Sequence, residues 1–574
     1  MNLKPIAQTP ASNVPTIISS VVNKAEEWKL TSIQEKISIL EEIRDNLVEY
    51  EEDWIKAAEE VRGVCHSSSK CTGSARADII ASGPGMLGSH IQGFLWTLKY
   101  AVKNEGNRPP PPKAIRKVCV RVDVEEEGKY DNDDSTEQKQ NQIQSFVTVW
   151  PNTILDHLEA VGLTCELQLN NDQSKQKTFQ ESCVGGVAGI LGAGNIDALY
   201  DVMCQMFLYG RVCIFKPNPV NEKMHSISWQ IFRPLIEKGY LQYVVGGVDV
   251  GTALVGDNRL DEIVLTGSVN TYDKIKPLTK TPIVAELGGV NPWIVVPGKG
   301  WSKRSVDLHA RHLAFAKLSN NGHTCAAPQI LVLPSDWDYR DLFLNRVHHW
   351  LSESVGSPSF YPGSHDTHKF FRNHKGAEMI NQSNIFDQLH HPIVIRNVSD
   401  VTDKENPIFS REAFCPVLAE VALNSSAKDS MVYLRSAIKF VEEHCFGSLS
   451  ANIIIPDNVA KNNAKEFDSI VAEMNFGIVG INLWTAYAYS MPNLIWGASS
   501  RNSQSGIGFL GNSCLFENPS KTILRAPFNW LGRRVLMISP PSKQELIFRR
   551  YSKYRIKPNL LTQTLLFSAI FLNL

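Results

Sequence analysis

The sequence predicts an α/β fold built on parallel sheets, and three observations support this prediction. Between residues 182 and about 283, short apolar strands alternate with helical stretches. A second region of the same kind, from about 286 to 490, contains the apolar runs PWIVVP, QILVLP and ANIIIP. Alternation of strands and helices favours a parallel sheet covered on both faces. The 574 residues suffice for two or three domains with cores of their own.

The composition excludes several classes of function. Hydrophobic residues make up 43% of the chain, charged residues 20%, and the formal net charge is −1, so no global field attracts nucleic acid or an anionic membrane. The 11 cysteines lack regular spacing and form no CxxC pair, and the histidines complete no zinc pattern, so we predict neither a disulfide framework nor a metal site. The first residues lack the features of a targeting segment, which makes a cytoplasmic location the default expectation.

The order of the predicted elements divides the chain into six parts. IQEKISILEEIRDNLVEYEEDWIKAAEEV has apolar residues at helical spacing, and NEGNRPPPPKA then ends regular structure. CVRVDV, SFVTVWP and LTCELQL alternate as strands do, and a polar, acidic insert follows the first of them. The predicted parts are a helical layer (1–100), a connection with insert and strands (101–181), a cofactor-binding region (182–285), a catalytic region (286–490), a return segment and arm (491–530) and a C-terminal extension (531–574).

Three turns in the region 182–285 have the sequence of a nucleotide site. IVLTGSVNTYDKI places Gly267 and Ser268 between a strand and a helix, where free backbone N–H groups and the helix dipole can bind a pyrophosphate. VCIFKPNP ends a strand with Lys216, within reach of ribose hydroxyls or a phosphate. VVGGVDVG forms the third turn, with Gly246, Gly247 and Gly251, but no GxGxxG is present. Ordinary turn glycines and a solvated lysine are the alternative interpretation of these stretches.

Two further stretches carry a carboxylate and a thiol. IVAELGGVNPWIVVP holds Glu286 beside two glycines, and SNNGHTC holds Cys325 about 40 residues later. A cysteine with backbone N–H donors nearby can act as a nucleophile, and a carboxylate can serve it as a base. Taken alone, a carboxylate such as Glu286 is more often salt-bridged, and a cysteine such as Cys325 more often packs in the core.

The order of motifs resembles the aldehyde dehydrogenase superfamily. GAGN, FKPNP, LTGS, ELGGVNPW, NNGHTC, EAFCPVL, LSANI and SGIGFLGN follow one another as they do in that family, from about Ser182 to Phe528. The most specific signal is ELGG followed at this distance by NNGxxC. The resemblance implies a Rossmann-type cofactor domain, an α/β catalytic domain and a small oligomerisation arm.

The resemblance also implies catalytic roles. Cys325 matches the nucleophile that attacks the aldehyde carbon. Its own backbone N–H and the side-chain amide of Asn195 would hold the oxyanion. Glu286 matches the base that activates water to hydrolyse the thioester. The implied reaction is oxidation of an aldehyde to a carboxylic acid with reduction of NAD or NADP.

Five positions match cofactor contacts of the family. Glu412 and Phe414 in EAFCP correspond to residues at the nicotinamide ribose and ring. Lys216, Gly267 and Ser268 correspond to contacts with the adenosine ribose and the pyrophosphate. A helix-start carboxylate at Glu412 and a core residue at Phe414 are the alternative interpretations.

The sequence departs from the family pattern at several positions. Gly194 stands where the family has tryptophan before Asn195, Asp197 replaces a proline, and His323 replaces the common glutamine. Pro219 replaces the glutamate of NAD-preferring members, which removes a carboxylate that would repel a 2′-phosphate. We therefore expect NADP to be accepted, unless Glu222 folds back to supply the missing charge.

Two other functions remain open from the sequence. A CoA-dependent acylating dehydrogenase has the same fold but no need of Glu286, because a thiol rather than water resolves the thioester. A catalytically silent scaffold also retains the fold, and the unusual GAGNID is its best support.

Assembly and the C-terminal tail give the last expectations. NPSKTILRAPF resembles the arm that pairs with a partner subunit's sheet, which predicts a homodimer or homotetramer. The tail has basic residues from Arg549 to Lys557 and an apolar finish from Leu560. It either packs against the body or, through residues 549–574, contacts a membrane that delivers lipid-derived aldehydes.

Overall fold

The computed structural model describes most of the chain, and all structural statements below refer to these residues. They are 3–64, 69–123, 139–153, 156, 160–170, 174–354, 357–381, 390–398, 406–530, 532–533 and 541–571. The predicted acidic insert lies mainly in 124–138, outside the described residues.

The N-terminal part is helical, as the sequence predicts. Ser32 caps the longest helix by accepting a hydrogen bond from the backbone of Glu35, and Gly63 ends it in the left-handed conformation at φ 70°. The helix buries one apolar stripe that includes Ile43, Leu47 and Trp54. The helices are α1 (Val14–Val22), α2 (Ala25–Leu30), α3 (Ile33–Arg62), α4 (Ser69–Ser82) and α5 (Pro84–Lys103).

A six-stranded sheet forms the predicted cofactor region. Five of its strands are parallel, and a two-residue strand pairs antiparallel at one edge. Its spatial order is β17-β8-β7-β4-β5-β6. The bounds are β4 (Val187–Leu191), β5 (Val212–Lys216), β6 (Leu241–Tyr243), β7 (Glu262–Gly267), β8 (Ile283–Leu287) and β17 (Gly506–Ile507).

An eleven-stranded sheet runs through the rest of the molecule, in the order β1-β2-β3-β19-β15-β14-β9-β10-β13-β12-β11. Its central strands are parallel and fully buried, which explains their continuous apolar sequences. The bounds are β1 (Ala114–Asp123), β2 (Lys139–Trp150), β3 (Thr164–Leu169), β9 (Asn291–Val295), β10 (Pro328–Pro334), β11 (Ala377–Met379), β12 (Ile393–Ile395), β13 (Val417–Leu423), β14 (Ser450–Ile454), β15 (Ile478–Ile481) and β19 (Pro519–Arg525). A separate pair consists of β16 (Ile495–Trp496) and β18 (Leu510–Gly511).

The remaining helices connect and cover these strands. They are α6 (Phe179–Ser182), α7 (Leu199–Phe207), α8 (Glu222–Ile231), α9 (Arg233–Glu237), α10 (Val248–Val255), α11 (Val269–Ile275), α12 (Lys303–Leu318), α13 (Arg340–Glu353), α14 (Ser364–Arg372), α15 (Pro407–Ser410), α16 (Ser430–His444), α17 (Asp457–Asn462), α18 (Ala464–Glu473), α19 (Pro541–Ile556) and α20 (Leu560–Phe571).

Two sequence predictions need correction. The arm in NPSKTILRAPF forms β19, which pairs in parallel with β15 and antiparallel with β3 of its own chain, so it offers no open edge to a partner. The boundary predicted at 285/286 cuts through β8, because Glu286 pairs with Thr266 inside the six-stranded sheet. The glycines that follow in the sequence suggest that a new segment begins at Glu286, but the strand continues to Leu287.

The C-terminal tail packs against the helical layer, as the first of its two interpretations predicts. Gln92 donates a hydrogen bond to the carbonyl oxygen of Ile556 at 2.6 Å, and a Cβ atom at Gly88 would collide with the same isoleucine. Two of the basic residues are paired, Arg549 with Glu52 and Lys557 with Asp45, while Leu560 and Leu561 are exposed. Within the described residues, no helix has both the length and the apolar character needed to cross a membrane.

Candidate functional site

One large cavity brings the predicted site residues together. Its volume is about 1170 Å³, and its walls come from the six-stranded sheet, from the loops that carry Cys325 and Glu412, and from the N- and C-terminal helices. All of the residues predicted from the sequence line it: Asn195, Lys216, Gly267, Ser268, Glu286, Cys325, Glu412 and Phe414. The cavity therefore joins the strand ends expected to bind a dinucleotide to the thiol and carboxylate expected to react.

Glu286 lines this cavity and is buried near the end of β8. Its carboxyl group interacts with the Cys325 thiol, and it accepts a hydrogen bond from Trp496 Nε1 at 3.0 Å. Burial raises the pKa of Glu286 to about 7, against the opposing effect of these two interactions. A carboxyl group with this pKa can both accept and return a proton near neutral pH.

Cys325 follows a tight turn after α12. The side chain of Asn291 donates to the carbonyl oxygen of Cys325 at 2.7 Å, and the Trp484 indole donates to that of Ala326 at 2.9 Å. The thiol is partly buried, and burial together with the nearby Glu286 and Glu412 raises its pKa well above the ordinary value. The thiol therefore keeps its proton until a base removes it, and Glu286 is a carboxyl group that interacts with it.

Asn195 lies on the turn after β4 and faces the same cavity. Its Nδ2 donates to the carbonyl oxygen of His323 at 3.1 Å, which leaves a second N–H on the same nitrogen. The backbone carbonyl of Asn195 accepts from the side chain of Asn320 at 3.2 Å. Asn195 is thus hydrogen-bonded to the turn that precedes Cys325, although the sequence around Asn195 departs from the family pattern.

Asp197, which stands where the family has proline, does not line this cavity. The residue is half-buried, and burial of its carboxyl group raises the pKa of that group to about 7. It lines a separate cavity of about 40 Å³, behind Asn195.

Glu412 and Phe414 line the same cavity as Glu286. A Cβ atom at Gly288 would collide with the Glu412 carboxylate, so the absence of a side chain at this glycine lets the carboxylate lie close to the end of β8. Among the described residues, Glu412 Oε1 is buried without a hydrogen-bond partner, and burial and Glu286 raise the pKa of the group to about 8. Phe414 adopts φ 45°, and its carbonyl oxygen accepts from His323 Nδ1 at 2.7 Å.

The other end of the cavity has the predicted nucleotide geometry. Gly267 ends β7, and Ser268 caps α11 by accepting from the backbone N–H of Thr271 at 3.2 Å. Lys216 ends β5, and a Cβ atom at Gly251 would lie 3.4 Å from its Cε. Burial lowers the pKa of Lys216.

This end and Glu412 suit a nicotinamide dinucleotide. The unpartnered Glu412 oxygen can accept a ribose hydroxyl, and the N-terminus of α11 can hold the pyrophosphate. Pro219 lines the cavity, whereas Glu222 is exposed at the start of α8 and is absent from the lining. Glu222 does not replace the missing carboxylate in this structure.

Several site residues were not found from the sequence. Trp496 and Tyr361 contact Glu286 and Phe414, and they come from segments with no catalytic motif. Asn291 lies within the ELGGVN motif, so its position next to Glu286 could have singled it out. The C-terminal helix α19 contributes three lining residues at helical spacing, Gln544, Phe548 and Tyr551.

Sequence comparisons agree with this arrangement. A model of the aldehyde dehydrogenase family matches residues 155–363. The dimeric NADP-preferring aldehyde dehydrogenase of Mus musculus is 24% identical over 310 residues, which are 52% of this chain and 63% of the mouse enzyme. The D-glyceraldehyde dehydrogenase (NADP(+)) of Thermoplasma acidophilum is 27% identical over 183 residues, 30% of this chain and 35% of that enzyme. The matched part thus spans less than two thirds of either relative.

Solved structures share the fold over nearly the whole chain. Glyceraldehyde-3-phosphate dehydrogenase GapN of Methanocaldococcus jannaschii, solved with NADP, superposes with a TM-score of 0.60 at 17% identity, covering 91% of this chain and 96% of that one. Aldehyde dehydrogenase C of Pseudomonas syringae gives 0.60 at 16% identity, with 91% and 90% covered. Residues 155–363 thus match the aldehyde dehydrogenase family, and the solved structures show that the chain shares the fold of aldehyde dehydrogenases.

Proposed function

We propose that the protein oxidises an aldehyde to a free carboxylic acid, with NAD or NADP as hydride acceptor. The observation that carries this proposal is that the Cys325 thiol and the buried Glu286 carboxyl group interact inside one cavity, which also reaches Lys216, Gly267 and Ser268. A nucleophile, a base and a dinucleotide cradle in one cavity are the parts that this reaction requires.

The geometry supports a sequence of steps on the chain's own residues. Glu286 takes the proton of Cys325, and the thiolate adds to the aldehyde carbon to give a thiohemiacetal. The oxyanion accepts hydrogen bonds from the backbone N–H of Cys325 and the free N–H of Asn195. A bound nicotinamide supplies the hydride acceptor, and its ribose and pyrophosphate would be held by Glu412, Lys216 and the Gly267–Ser268 turn.

Loss of hydride from the thiohemiacetal leaves a thioester on Cys325. Glu286, which must first have released the proton it took from the thiol, then removes a proton from water, and the resulting hydroxide attacks the thioester carbon. The C–S bond breaks, the acid leaves, and the thiolate is regenerated. This second use of Glu286 distinguishes hydrolysis from CoA-dependent acyl transfer, and its buried position with a pKa of about 7 favours hydrolysis.

The test is a cofactor reduction assay with and without CoA. Purified protein should reduce NAD or NADP when an aldehyde is added, and the organic product should be the free acid. Cys325→Ala should lower the rate by at least about 1000-fold, as removal of a covalent nucleophile does. Reduction that occurs only with CoA would favour the acylating alternative, and full activity of Cys325→Ala would favour the silent scaffold.

We also propose that this protein accepts NADP at least as well as a typical family member accepts NAD. Pro219 leaves no carboxylate at that point of the cavity lining, and the mouse relative is named NADP-preferring. Comparison of kcat/KM for the two cofactors tests this, and a preference for NAD by several orders of magnitude would contradict it.

Assembly as a homodimer or homotetramer remains a proposal. The mouse relative is named dimeric, and β1 forms an edge of the eleven-stranded sheet. Light scattering at micromolar concentration tests it, and a monomer mass would refute it. Membrane contact through residues 549–574 is likewise a prediction, and co-sedimentation with anionic vesicles is its test.

A further inference from the structure

The turn before the nucleophile has an unfavourable backbone conformation. Asn320 and Asn321 adopt φ 50° and 52°, and Gly322 adopts 73°. A Cβ atom at Gly322 would collide with the backbone of Cys415, so the turn also packs closely against a neighbouring segment. Left-handed residues that are not glycine persist only where surrounding contacts hold them. The contacts that hold this turn therefore determine where Cys325 lies.

Asp78, on α4, supplies two of these contacts. Its Oδ1 accepts a hydrogen bond from Ser319 Oγ at 2.8 Å, and its Oδ2 accepts one from the backbone N–H of Asn320 at 3.0 Å. Asp78 also lines the cavity that holds Cys325. One carboxylate thus fixes two consecutive residues at the start of the left-handed stretch.

Arg62 fixes the carboxylate in turn. Its Nη1 lies 3.1 Å from Asp78 Oδ2, and its Nη2 donates to Ser82 Oγ at 3.1 Å. Arg62 is buried, and its guanidinium lies 5.6 Å from the centre of the Phe360 ring. Charge-assisted bonds of this kind, shielded from water, are stronger than neutral ones. Asp78 therefore has an ionised partner on one side and the turn on the other.

Hydrogen bonds connect this turn to Asn195 and to the backbone just before Cys325. Asn320 Nδ2 donates to the carbonyl oxygens of His323 and Asn195, at 3.1 and 3.2 Å. Asn195 Nδ2 donates to the same His323 oxygen. Asp78 holds Asn320, and Asn320 in turn holds both Asn195 and the backbone two residues before Cys325.

We propose that Asp78 is a positioning residue, which, held by Arg62, sets the turn that aligns Cys325 with Glu286 and with Asn195. The proposal rests on the proposed function only in assigning Cys325 as the nucleophile. It does not require that Asp78 contacts the substrate. Its consequence is that loss of the Asp78 bonds frees the thiol from its fixed position without removing any reacting group.

The test uses Asp78→Asn, which keeps the size of the side chain but removes its charge and one acceptor oxygen. Two quantities are measured: kcat for aldehyde oxidation, and the rate at which iodoacetamide alkylates Cys325, followed by mass spectrometry. We expect kcat to fall about tenfold, the size of effect that loss of a charge-assisted hydrogen bond produces. We expect alkylation of Cys325 to rise at least about threefold, because a thiol released from burial reacts faster.

Controls separate positioning from general loss of structure. Asp429→Asn is the matched variant, because Asp429 accepts from two backbone N–H groups at 3.1 Å and is not among the residues that line the cavity. It should change neither quantity. The buried Cys204 and Cys445 should stay unalkylated in Asp78→Asn if the fold is intact.

Each outcome decides the proposal. Unchanged kcat and unchanged alkylation of Cys325 in Asp78→Asn would overturn it. If Cys204 and Cys445 also react, Asp78→Asn has disturbed the fold, and Ser319→Ala is tested instead. Ser319→Ala removes one hydrogen bond to Asp78 and leaves the carboxylate paired with Arg62, so it should raise alkylation of Cys325 alone. An unchanged alkylation rate of Cys325 in Ser319→Ala would overturn the proposal. If the native protein oxidises no aldehyde, the proposed function fails while the alkylation measurement still decides the role of Asp78.

Discussion

The two ends of the cavity are built in different ways. At the cysteine end, hydrogen bonds join groups far apart in the chain, such as Trp496 to Glu286 and Asn291 to Cys325. At the dinucleotide end, the residues are held locally, as Ser268 is by capping its own helix. Chemistry needs atoms fixed to a fraction of an ångström, whereas a pyrophosphate on a helix N-terminus tolerates more freedom. Substitutions at the cysteine end should therefore cost more.

The largest effect is expected for Glu286→Gln. An amide cannot take a proton from the thiol or from water, so kcat should fall by about 100-fold to 1000-fold, as for loss of a general base. Stopped-flow measurement of cofactor reduction and of acid release checks this. Glu442→Gln is the control, because burial also raises the pKa of Glu442 but it is not among the residues that line the cavity. A Glu286→Gln enzyme with native kcat would remove hydrolysis from the proposed function.

A pH profile tests the ionisation of the same group. Burial raises the pKa of Glu286 to about 7, and the base is active only when ionised, so kcat should rise as pH increases through about 7 and then level off. The hydrogen bond from Trp496 lowers this pKa, so removal of the bond should move the midpoint of the profile to higher pH. In Trp496→Phe we expect a shift of about one pH unit, the size expected for one hydrogen bond to a charged group. A downward shift would contradict the assignment.

At the dinucleotide end, Pro219→Glu should change the choice of cofactor. A carboxylate there would repel a 2′-phosphate and accept a 2′-hydroxyl, so the ratio of kcat/KM for NADP to that for NAD should fall about tenfold or more. Glu222→Gln is the matched control, because this exposed side chain lies outside the cavity lining. An unchanged ratio in Pro219→Glu would mean that the ribose binds elsewhere.

The smallest effect is expected for Ser268→Ala. Loss of the cap on α11 should lower the free energy of unfolding by about 1 kcal/mol and raise the KM for the cofactor only a few-fold. Denaturant titration and steady-state kinetics measure the two effects. Ser32→Ala removes the equivalent cap from α3, which lies at another place in the fold, and should lower stability without changing the KM. Equal KM values in both variants would show that the α11 cap does not contact the cofactor.

The sequence predicted local features well. Ser268 and Gly267 form the predicted strand-to-helix turn, and the apolar runs PWIVVP, QILVLP and ANIIIP contain β9, β10 and β14. These features depend on a few neighbouring residues, so periodicity and turn composition reveal them.

Features that depend on distant contacts were not predicted. The pairing of β19 within its own chain is fixed by register with β3 and β15, which the sequence of the strand alone does not specify. Asp78 and Trp496 have no motif around them, and they reach the site only because α4 and the segment near β16 fold over it. The tail residues Phe548 and Tyr551 line the cavity for the same reason.

The proposed nucleophile and its proposed base are positioned by different sheets. Glu286 lies on β8 of the six-stranded sheet, whereas Cys325 lies on the loop that enters β10 of the eleven-stranded sheet. The interaction between these two groups therefore depends on how the two sheets are aligned. A small rotation between the sheets would separate the pair while leaving every strand intact. Mild denaturant should accordingly abolish turnover at concentrations where the circular dichroism of the backbone is still native, and ligands that bridge the sheets should delay that inactivation.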